Sequence, residues 1–211
     1  MSNIRSAKVT IKGTRPLFWH WFGPEAMPIE IPGARKEKTG KAGNDPEEWR
    51  KSVTVTKNGQ LFIPSTYAFA TIREGAKYVK KGRGSIQGDV IAALQIQDDQ
   101  ILVDRYMPTF PNGHECNITK LPAPPQDPEQ DIYLDVRMVR NPKTKGANVR
   151  YRIAASPGWS CSFTIQWDVS VVSQGEMESC VIHAGKYSGI GNGRKIGMGR
   201  FDVVEFAVID G

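Results

Sequence analysis

Cysteine is scarce in this chain, and the few that occur form no recognisable pattern. The 211 residues include three cysteines, Cys116, Cys161 and Cys180, an odd number at wide spacing. A disulfide framework needs paired cysteines, and a zinc site needs closely spaced cysteines or histidines. Neither organises this sequence, and we expect a protein of the reducing cytoplasm.

Long apolar runs are also missing. The amino-terminal residues are polar and basic, unlike a signal peptide, and no window approaches the roughly 20 apolar residues that cross a membrane. We therefore expect no membrane partner. The length suits one domain, over residues 1–211, with insertions at about 24–56 and 106–131, where proline, glycine and lysine interrupt any apolar periodicity.

Residues typical of metal and cofactor sites are few as well. The chain has three histidines, and no carboxylate pair among Asp104, Asp131 and Asp135 has a spacing diagnostic of a metal site. P-loops and dinucleotide fingerprints follow a strand and open a helix, and no glycine-rich segment here has that context. We expect neither a metal nor another cofactor.

Positive charge, by contrast, is abundant and segregated. The formal net charge is +6, from 28 Lys and Arg against 22 Asp and Glu. Residues 137–152 contain six cations and residues 186–200 contain four, and neither stretch has a carboxylate. Such segregation favours an anionic partner, and a polyanion in particular.

The most informative segment is a glycine-rich loop near the carboxyl terminus, residues 189–200, called the glycine loop below. Its glycines are Gly189, Gly191, Gly193, Gly197 and Gly199, and its cations are Arg194, Lys195 and Arg200. Glycine allows positive φ and close backbone approach, so successive amides can converge on anionic oxygens. The spacing predicts a loop that holds a phosphate chain, with a flexible surface turn as the alternative.

Hydrophobic patterning predicts an α+β fold. The predicted strands are residues 7–11, 49–56, 60–63, 90–96, 101–105, 132–140, 147–155, 160–171 and 200–209, and the predicted helices are residues 65–80 and 177–187. Asn58-Gly59 predicts one hairpin turn and residues 141–146 a second. Without the insertions, the order is that of a ferredoxin-like or RNA-recognition-motif-like core, with an antiparallel sheet and two main helices.

These residues resemble the RAMP superfamily of CRISPR-associated proteins. The match lies in Gly189-Ile190-Gly191 through Gly197-Met198-Gly199-Arg200-Phe201, and more weakly in Thr10-Ile11-Lys12-Gly13 and Leu61-Phe62-Ile63-Pro64-Ser65. The resemblance implies a ferredoxin-like core with a glycine-rich loop between its last helix and last strand. A single core with long insertions is most like the backbone subunits that line a guide RNA as a helical filament.

The resemblance implies three kinds of partner: single-stranded RNA, further copies of the chain along the strand, and other CRISPR effector subunits. A stand-alone or phage-encoded relative that binds single strands is the alternative. DNA stays open as the ligand, because residues that contact the sugar-phosphate backbone serve both nucleic acids. Phosphate contacts carry little sequence information, so binding should be weakly sequence-specific and salt-dependent.

Further candidate binding residues lie outside the glycine loop. They are Lys186 before the loop, Arg150 and Arg152 on a predicted strand, Lys143 and Lys145 at its turn, Lys36, Lys38 and Lys41 in the first insertion, and Trp19 and Trp21 as base-stacking side chains. We expect Phe18 inside, Trp19 or Trp21 outside, and Trp159 and Trp167 in structural positions.

One residue favours an enzyme instead. His20 lies near the first strand, where RNA-processing members of the same superfamily carry a histidine base. A neutral imidazole near pH 7 can deprotonate a 2′-hydroxyl. No second acid or base has a recognisable spacing to His20, so we favour binding without catalysis. A metal-independent endoribonuclease, and a protein that mimics a CRISPR subunit and binds other proteins, stay open as alternatives.

Overall fold

The computed structural model describes residues 3–21, 48–108, 130–140 and 146–209. Most of both predicted insertions lies outside the described residues. So do the predicted binding residues Lys36, Lys38, Lys41, Lys143 and Lys145.

The described residues form strands, helices and three short helical turns. The strands are β1 (Ile4–Gly13), β2 (Leu17–Phe18), β3 (Gln60–Pro64), β4 (Lys80–Lys81), β5 (Gly84–Ser85), β6 (Gln95–Ile96), β7 (Gln100–Tyr106), β8 (Ile132–Arg140), β9 (Ala147–Ala155), β10 (Ser160–Asp168) and β11 (Phe201–Ile209). The α-helices are α1 (Glu48–Ser52), α2 (Ser65–Gly75), α3 (Gln87–Ala93) and α4 (Gln174–His183). The turns are 3-10 at Ala76–Tyr78 and Arg194–Ile196, and π-helical at Ala184–Ser188.

The main sheet confirms the predicted α+β class. Its strand order is β11-β1-β10-β7-β3, with β6 also paired to β10, and every pair is antiparallel. Along the chain, α2 lies between β1 and β7, and α4 lies between β10 and β11. The order strand, helix, two strands, helix, strand is that of a ferredoxin-type core, to which β3 adds an edge strand.

Strict alternation makes one face of this sheet apolar. The buried side chains of β10 are Cys161, Phe163, Ile165 and Trp167. They lie beside the buried Ala7, Val9 and Ile11 of β1. Polar residues occupy the opposite face, where Lys8 and Lys12 are exposed. The apolar face is covered by α2 and α4, whose buried residues belong to the same core.

A second sheet, β2-β9-β8, is built on the predicted hairpin. The pairing of β8 with β9 runs from Ile132 opposite Ala155 to Arg140 opposite Ala147. Strand β2 adds to its base, with Leu17 opposite Ala155 and Phe18 opposite Ala154. The base of this hairpin is buried, and the distal end, where Met138 is exposed, is not.

Two strand predictions are wrong. Residues 90–93 belong to α3 instead of a strand, because Ile86, Val90 and Leu94 are buried at a spacing of four, which is helical. Residues 49–52 belong to α1, and the predicted hairpin at Asn58-Gly59 is reduced to an isolated bridge between Val55 and Leu61.

The first long helix, α2, buries a narrow stripe of mostly small residues. Pro64 occupies the N-cap position, and no side chain caps the helix. The larger Tyr67 and Phe69 are only partly buried. The buried residues of α2 are Ala68, Thr71, Ile72 and Gly75. Small residues face inward because α4 approaches closely there.

The two helices approach each other closely at Gly75. A Cβ at this position would lie 2.1 Å from the carbonyl oxygen of Cys180 and 2.6 Å from the amide nitrogen of Ala184. Both atoms belong to the backbone, so neither can rotate away. Glycine is therefore required for the packing of α2 against α4.

We predict that Gly75→Ala destabilises the fold. Overpacking of a core commonly costs about 1–3 kcal/mol, and the free energy of unfolding from urea titration should fall by that amount or more. Gly175→Ala in α4 is the matched control, because nothing lies within 4 Å of a Cβ there. The control should be neutral or slightly stabilising, since alanine favours helix. Equal stability of wild type and Gly75→Ala would contradict this packing.

Candidate nucleic-acid interface

The glycine loop follows the π-helical turn and lies against three other segments. The carbonyl oxygen of Gly189 accepts a hydrogen bond from Thr71 Oγ1 of α2 at 3.0 Å. The amide of Asn192 donates to Phe18 O at 2.9 Å, and the amide of Gly199 donates to Pro16 O at 2.7 Å. The loop is thus tied to α2 and to the turn that leads into β2.

Most amides of the loop are used internally. The residues whose amides donate to protein carbonyls are Gly189, Ile190, Asn192, Ile196, Gly197, Met198 and Gly199. The prediction that amides along the loop converge on an anion is wrong for these residues. Among the described residues, no acceptor takes the amides of Gly191 and Arg200, nor the three consecutive amides of Gly193, Arg194 and Lys195.

These three amides lie at one turn. Gly193 has a left-handed backbone, with φ 74° and ψ 13°, and the 3-10 turn Arg194–Ile196 begins directly after it. A left-handed residue followed by helical ones turns successive amides towards one side, the geometry of a backbone nest for anions. This turn therefore presents three consecutive amides that have no described acceptor.

Packing explains four of the five glycines, and at Gly197, where a Cβ would meet nothing within 4 Å, only the positive φ favours glycine. All five predicted glycines have positive φ. The tightest is Gly199, where a Cβ would lie 1.8 Å from the carbonyl oxygen of Ile190. The two ends of the loop therefore cross where Gly189-Ile190-Gly191 meets Gly197-Met198-Gly199. The regular spacing of glycines in the sequence reflects this crossing.

A buried ion pair joins the loop to the hairpin. Asp135 Oδ2 lies 2.7 Å from Arg152 Nη2, and the two side chains are 0% and 5% exposed. Arg152 Nη1 donates to Asn192 Oδ1 at 2.6 Å, and Arg137 Nε lies 2.5 Å from Asp135 Oδ1. Arg152 is therefore an internal anchor of the loop, and its prediction as an exposed phosphate contact is wrong.

Phe18 lies beneath these guanidinium groups. The Arg152 carbon Cζ lies 4.8 Å from the centre of the Phe18 ring, and that of Arg137 lies 5.3 Å away. Phe18 is buried with Tyr133 and Ala154, as predicted for its inward position. Burial, followed by the charge of Asp135, raises the pKa of Tyr133 to about 12, so this side chain stays neutral in the cluster.

The two candidate stacking tryptophans have different environments. Trp19 is buried, and its Nε1 donates to Phe62 O at 2.8 Å, so its assignment as an exposed stacking side chain is wrong. Trp21 is partly buried and meets the ring of Tyr67 edge-on, with centroids 5.5 Å apart. Trp159 and Trp167 are buried, as predicted.

His20 is next to a carboxylate that the sequence did not single out. Its Nε2 lies 3.4 Å from Glu48 Oε1. Glu48 is nearly buried, and it also forms an ion pair with Arg150 and accepts the amide of Tyr151 at 3.3 Å. Burial lowers the pKa of His20, against the opposing effect of Glu48. Arg150, predicted as a phosphate contact, is thus already paired with Glu48.

Tyr67 connects His20 with the glycine loop. Its hydroxyl donates to the backbone oxygen of His20 at 3.2 Å. Burial raises the pKa of Tyr67, and the nearby charge of Arg194 opposes that shift. The structure therefore brings Trp21, Tyr67, His20 and Arg194 into one neighbourhood.

The remaining predicted cations differ in exposure. Lys186 and Lys195 are exposed, and Arg194 and Arg200 are partly buried. Arg200 Nη1 is buried without a hydrogen-bond partner among the described residues. No ion pair joins Arg194 or Lys195 to a carboxylate within the described ranges.

Three residues of this region were missed by sequence reasoning. Asp135 had a recognisable signal, because a carboxylate inside the apolar run of β8 requires a buried partner. The sequence signal for Asn192 was weaker, since it is only a polar residue between two glycines of the loop. Glu48 had none, since it lies 28 residues from His20 and 102 from Arg150.

Comparison with known proteins identifies a shared fold. No protein-family model matches the chain, and no curated protein matches its sequence. Among solved structures, it is similar to a chain of the type III-B Cmr-beta bound to cognate target RNA, determined by cryo-electron microscopy. The TM-score is 0.50 at 12% identity, over 98% of this chain and 61% of that one. This chain therefore spans about three fifths of that neighbour's length, and the likeness concerns the fold.

A metal site and a membrane-crossing helix are both absent from the described part of the chain. Within the described ranges, no group of three or more His, Cys, Asp or Glu side chains could hold a metal ion. None of the helices in this part of the chain is long and apolar enough to cross a membrane. The described cysteines, Cys161 and Cys180, are buried and unpaired.

We predict that His20 makes stability depend on pH near neutrality. Its pKa is lowered in the folded state from the ordinary 6.5, so the unfolded chain binds more protons as pH falls through 6.5. The free energy of unfolding should therefore fall as pH is lowered from about 7.5 to 6. His20→Gln should flatten this dependence in urea titrations at several pH values. An unchanged slope in the variant would contradict the assignment.

Proposed function

We propose that the protein binds single-stranded nucleic acid, RNA in preference, as a non-catalytic subunit of a CRISPR-type ribonucleoprotein. In this proposal, copies of the chain multimerise along a guide strand beside other effector subunits. The observation that carries the binding is the turn at Gly193, Arg194 and Lys195. It combines three amides without a described acceptor and two cations without a described ion pair.

The surroundings of this turn support a strand as the ligand. Arg194 is close enough to Tyr67 for its charge to act on the pKa of that side chain, and Trp21 meets the Tyr67 ring edge-on. Aromatic side chains therefore lie beside this cation. Phosphates can bind amides and cations while bases contact aromatic rings, a combination typical of single-strand sites. The fold neighbour is part of an RNA-bound assembly, which further supports RNA and CRISPR subunits as partners.

The anchoring of the turn supports a rigid site. The buried pair of Arg152 and Asp135 holds Asn192, which directly precedes Gly193. A preformed turn loses little conformational entropy when it binds an anion. Arg152 thus contributes to binding by positioning the loop, without contact to the strand.

The proposal is tested with the variant Arg194→Ala with Lys195→Ala. Affinity for a fluorescein-labelled oligouridine should fall by roughly tenfold or more at low salt, since a hydrogen bond to a charged group contributes about 1.5–3 kcal/mol. The slope of log affinity against log salt should shrink by about 1.4, because each phosphate contact on a single strand contributes about 0.7. Fluorescence anisotropy measures both.

A charge-matched control separates this site from general attraction. Lys8→Ala with Lys12→Ala removes two exposed lysines from the polar face of the main sheet. This variant should retain most of the affinity. Equal losses in both variants would assign binding to net charge alone, and no binding by the wild type at low salt would reject the proposed function.

One observation favours a second function, metal-independent cleavage of RNA. His20, with its lowered pKa, is neutral at pH 7 and lies 3.4 Å from Glu48. A neutral imidazole can take the proton from a 2′-hydroxyl, whose oxygen then attacks the adjacent phosphorus. The bond from phosphorus to the 5′-oxygen breaks, and the 5′-oxygen takes up the proton that the imidazolium gives back, directly or through a water molecule. The products are a cyclic 2′,3′-phosphate and a 5′-hydroxyl.

For this second function, we predict that His20→Ala abolishes cleavage of RNA and leaves RNA binding intact. End-labelled RNA would be cleaved by the wild type in the presence of a chelator, and the variant would bind the RNA without cleaving it. A substrate with a single 2′-deoxynucleotide at the cleavage position is the chemical control. Intact RNA after prolonged incubation with wild-type protein would reject this second function and leave the binding proposal untouched.

A further inference from the structure

A cluster of aromatic rings in the turns that follow α2 and α4 has no role in the site described above. Tyr78 ends the 3-10 turn after α2, and Tyr187 lies in the π-helical turn after α4. Their ring centroids are 4.6 Å apart with planes inclined by 39°. His183 lies next to both, at 6.3 Å from Tyr78 and 5.5 Å from Tyr187.

The two tyrosines, called the tyrosine pair below, are unusually exposed for side chains in mutual contact. Each is 49% exposed. Aromatic pairs gain most from contact when they also leave water, and here half of each surface stays in solvent. The helix ends hold the rings in place, because a Cβ at Gly185 would lie 2.1 Å from Phe201 O and the turn packs directly on β11. The pair is therefore a preformed aromatic surface.

The charge around the tyrosine pair is positive. Lys80 follows Tyr78 by two residues, Arg83 lies in the turn between β4 and β5, and Lys186 precedes Tyr187. All three are exposed, and none forms an ion pair with a described carboxylate.

The nearby carboxylates are already engaged. Glu74 binds Lys77 at 2.6 Å, and Asp89 binds Lys81 at 2.8 Å. Glu176, which also acts on Lys81, accepts the Ser173 amide and hydroxyl at 2.9 and 2.7 Å. The surface therefore offers aromatic faces with unneutralised cations, which complement an anion that carries flat rings.

We propose that the tyrosine pair is a base-stacking platform, a second contact for the strand bound at the glycine loop. The inference rests on the proposed function, since it assigns another part of the same ligand. Every base has a π-face, so stacking suits any sequence, and the adjacent lysines and arginine bind the flanking phosphates. A protein partner is less well matched, because interface cores are depleted of lysine.

The platform is tested first on the wild-type protein. Oligouridine carrying 5-iodouridine is irradiated in complex with the protein, and cross-linked peptides are sequenced by mass spectrometry. The expected result is a cross-link at Tyr78 or Tyr187. Cross-links confined to other residues would overturn the inference, even where binding itself is strong.

Paired substitutions give the second test. Tyr78→Ala with Tyr187→Ala should weaken binding roughly 5- to 160-fold, since stacking is worth about 1–3 kcal/mol per base. The salt slope should stay as in the wild type, because no charge is removed. Tyr78→Phe with Tyr187→Phe keeps both rings and should bind like the wild type, which separates stacking from loss of the hydroxyl groups.

The outcomes distinguish this inference from the proposed function. If Arg194→Ala with Lys195→Ala weakens binding and the tyrosine-to-alanine variant does not, the platform is rejected and strand binding stands. If the wild type binds no oligonucleotide, both fail. If the tyrosine-to-alanine variant changes the oligomeric state at unchanged affinity, the surface binds protein and the platform is rejected.

Discussion

The position of the glycine loop depends on the buried pair of Asp135 and Arg152. A charge removed from water loses several kcal/mol of hydration, and pairing with good hydrogen bonds is needed to offset that cost. Here Asp135 meets both Arg137 and Arg152, and Arg152 extends to Asn192. The pair thus links the β8–β9 hairpin to the loop, in which Asn192 lies 40 residues after Arg152. Loss of either charge would leave the other buried and would release the loop from the hairpin.

This constraint divides the positive charge into two kinds. Arg137, Arg150 and Arg152 form ion pairs with Asp135 or Glu48 and stabilise the fold. Arg194 and Lys195 have no such pair within the described residues and are available to a ligand. The cation-rich hairpin is therefore mainly structural where it is described, and the short turn of the loop carries the charge that supports binding.

The sequence predicted the core elements well because their signals are local. The strand β10, the β8–β9 hairpin and the helix α4 were each predicted from residues within a few positions, and all are found. The site was harder, because its partners are remote. Glu48, which pairs with Arg150, lies 102 residues away from it in the sequence. Asp135 lies two positions before the cation-rich stretch 137–152, so a count of the charges in that stretch leaves it out. Charge counted along the chain cannot show such pairing.

Several arginine and asparagine side chains near the site are hydrogen-bonded within the fold, and this limits which parts of a nucleic acid the site can recognise. Arginine and asparagine are the residue types that most often read base edges, through paired hydrogen bonds. In this protein Arg152 and Asn192 bind each other within the fold, and Arg150 binds Glu48. Amides, cations and aromatic rings remain for a ligand, and in the proposed complex they would contact phosphates and the faces of bases. Contacts of this kind would hold a strand without distinguishing its sequence, so any specificity in an assembly would come from base pairing by the bound strand.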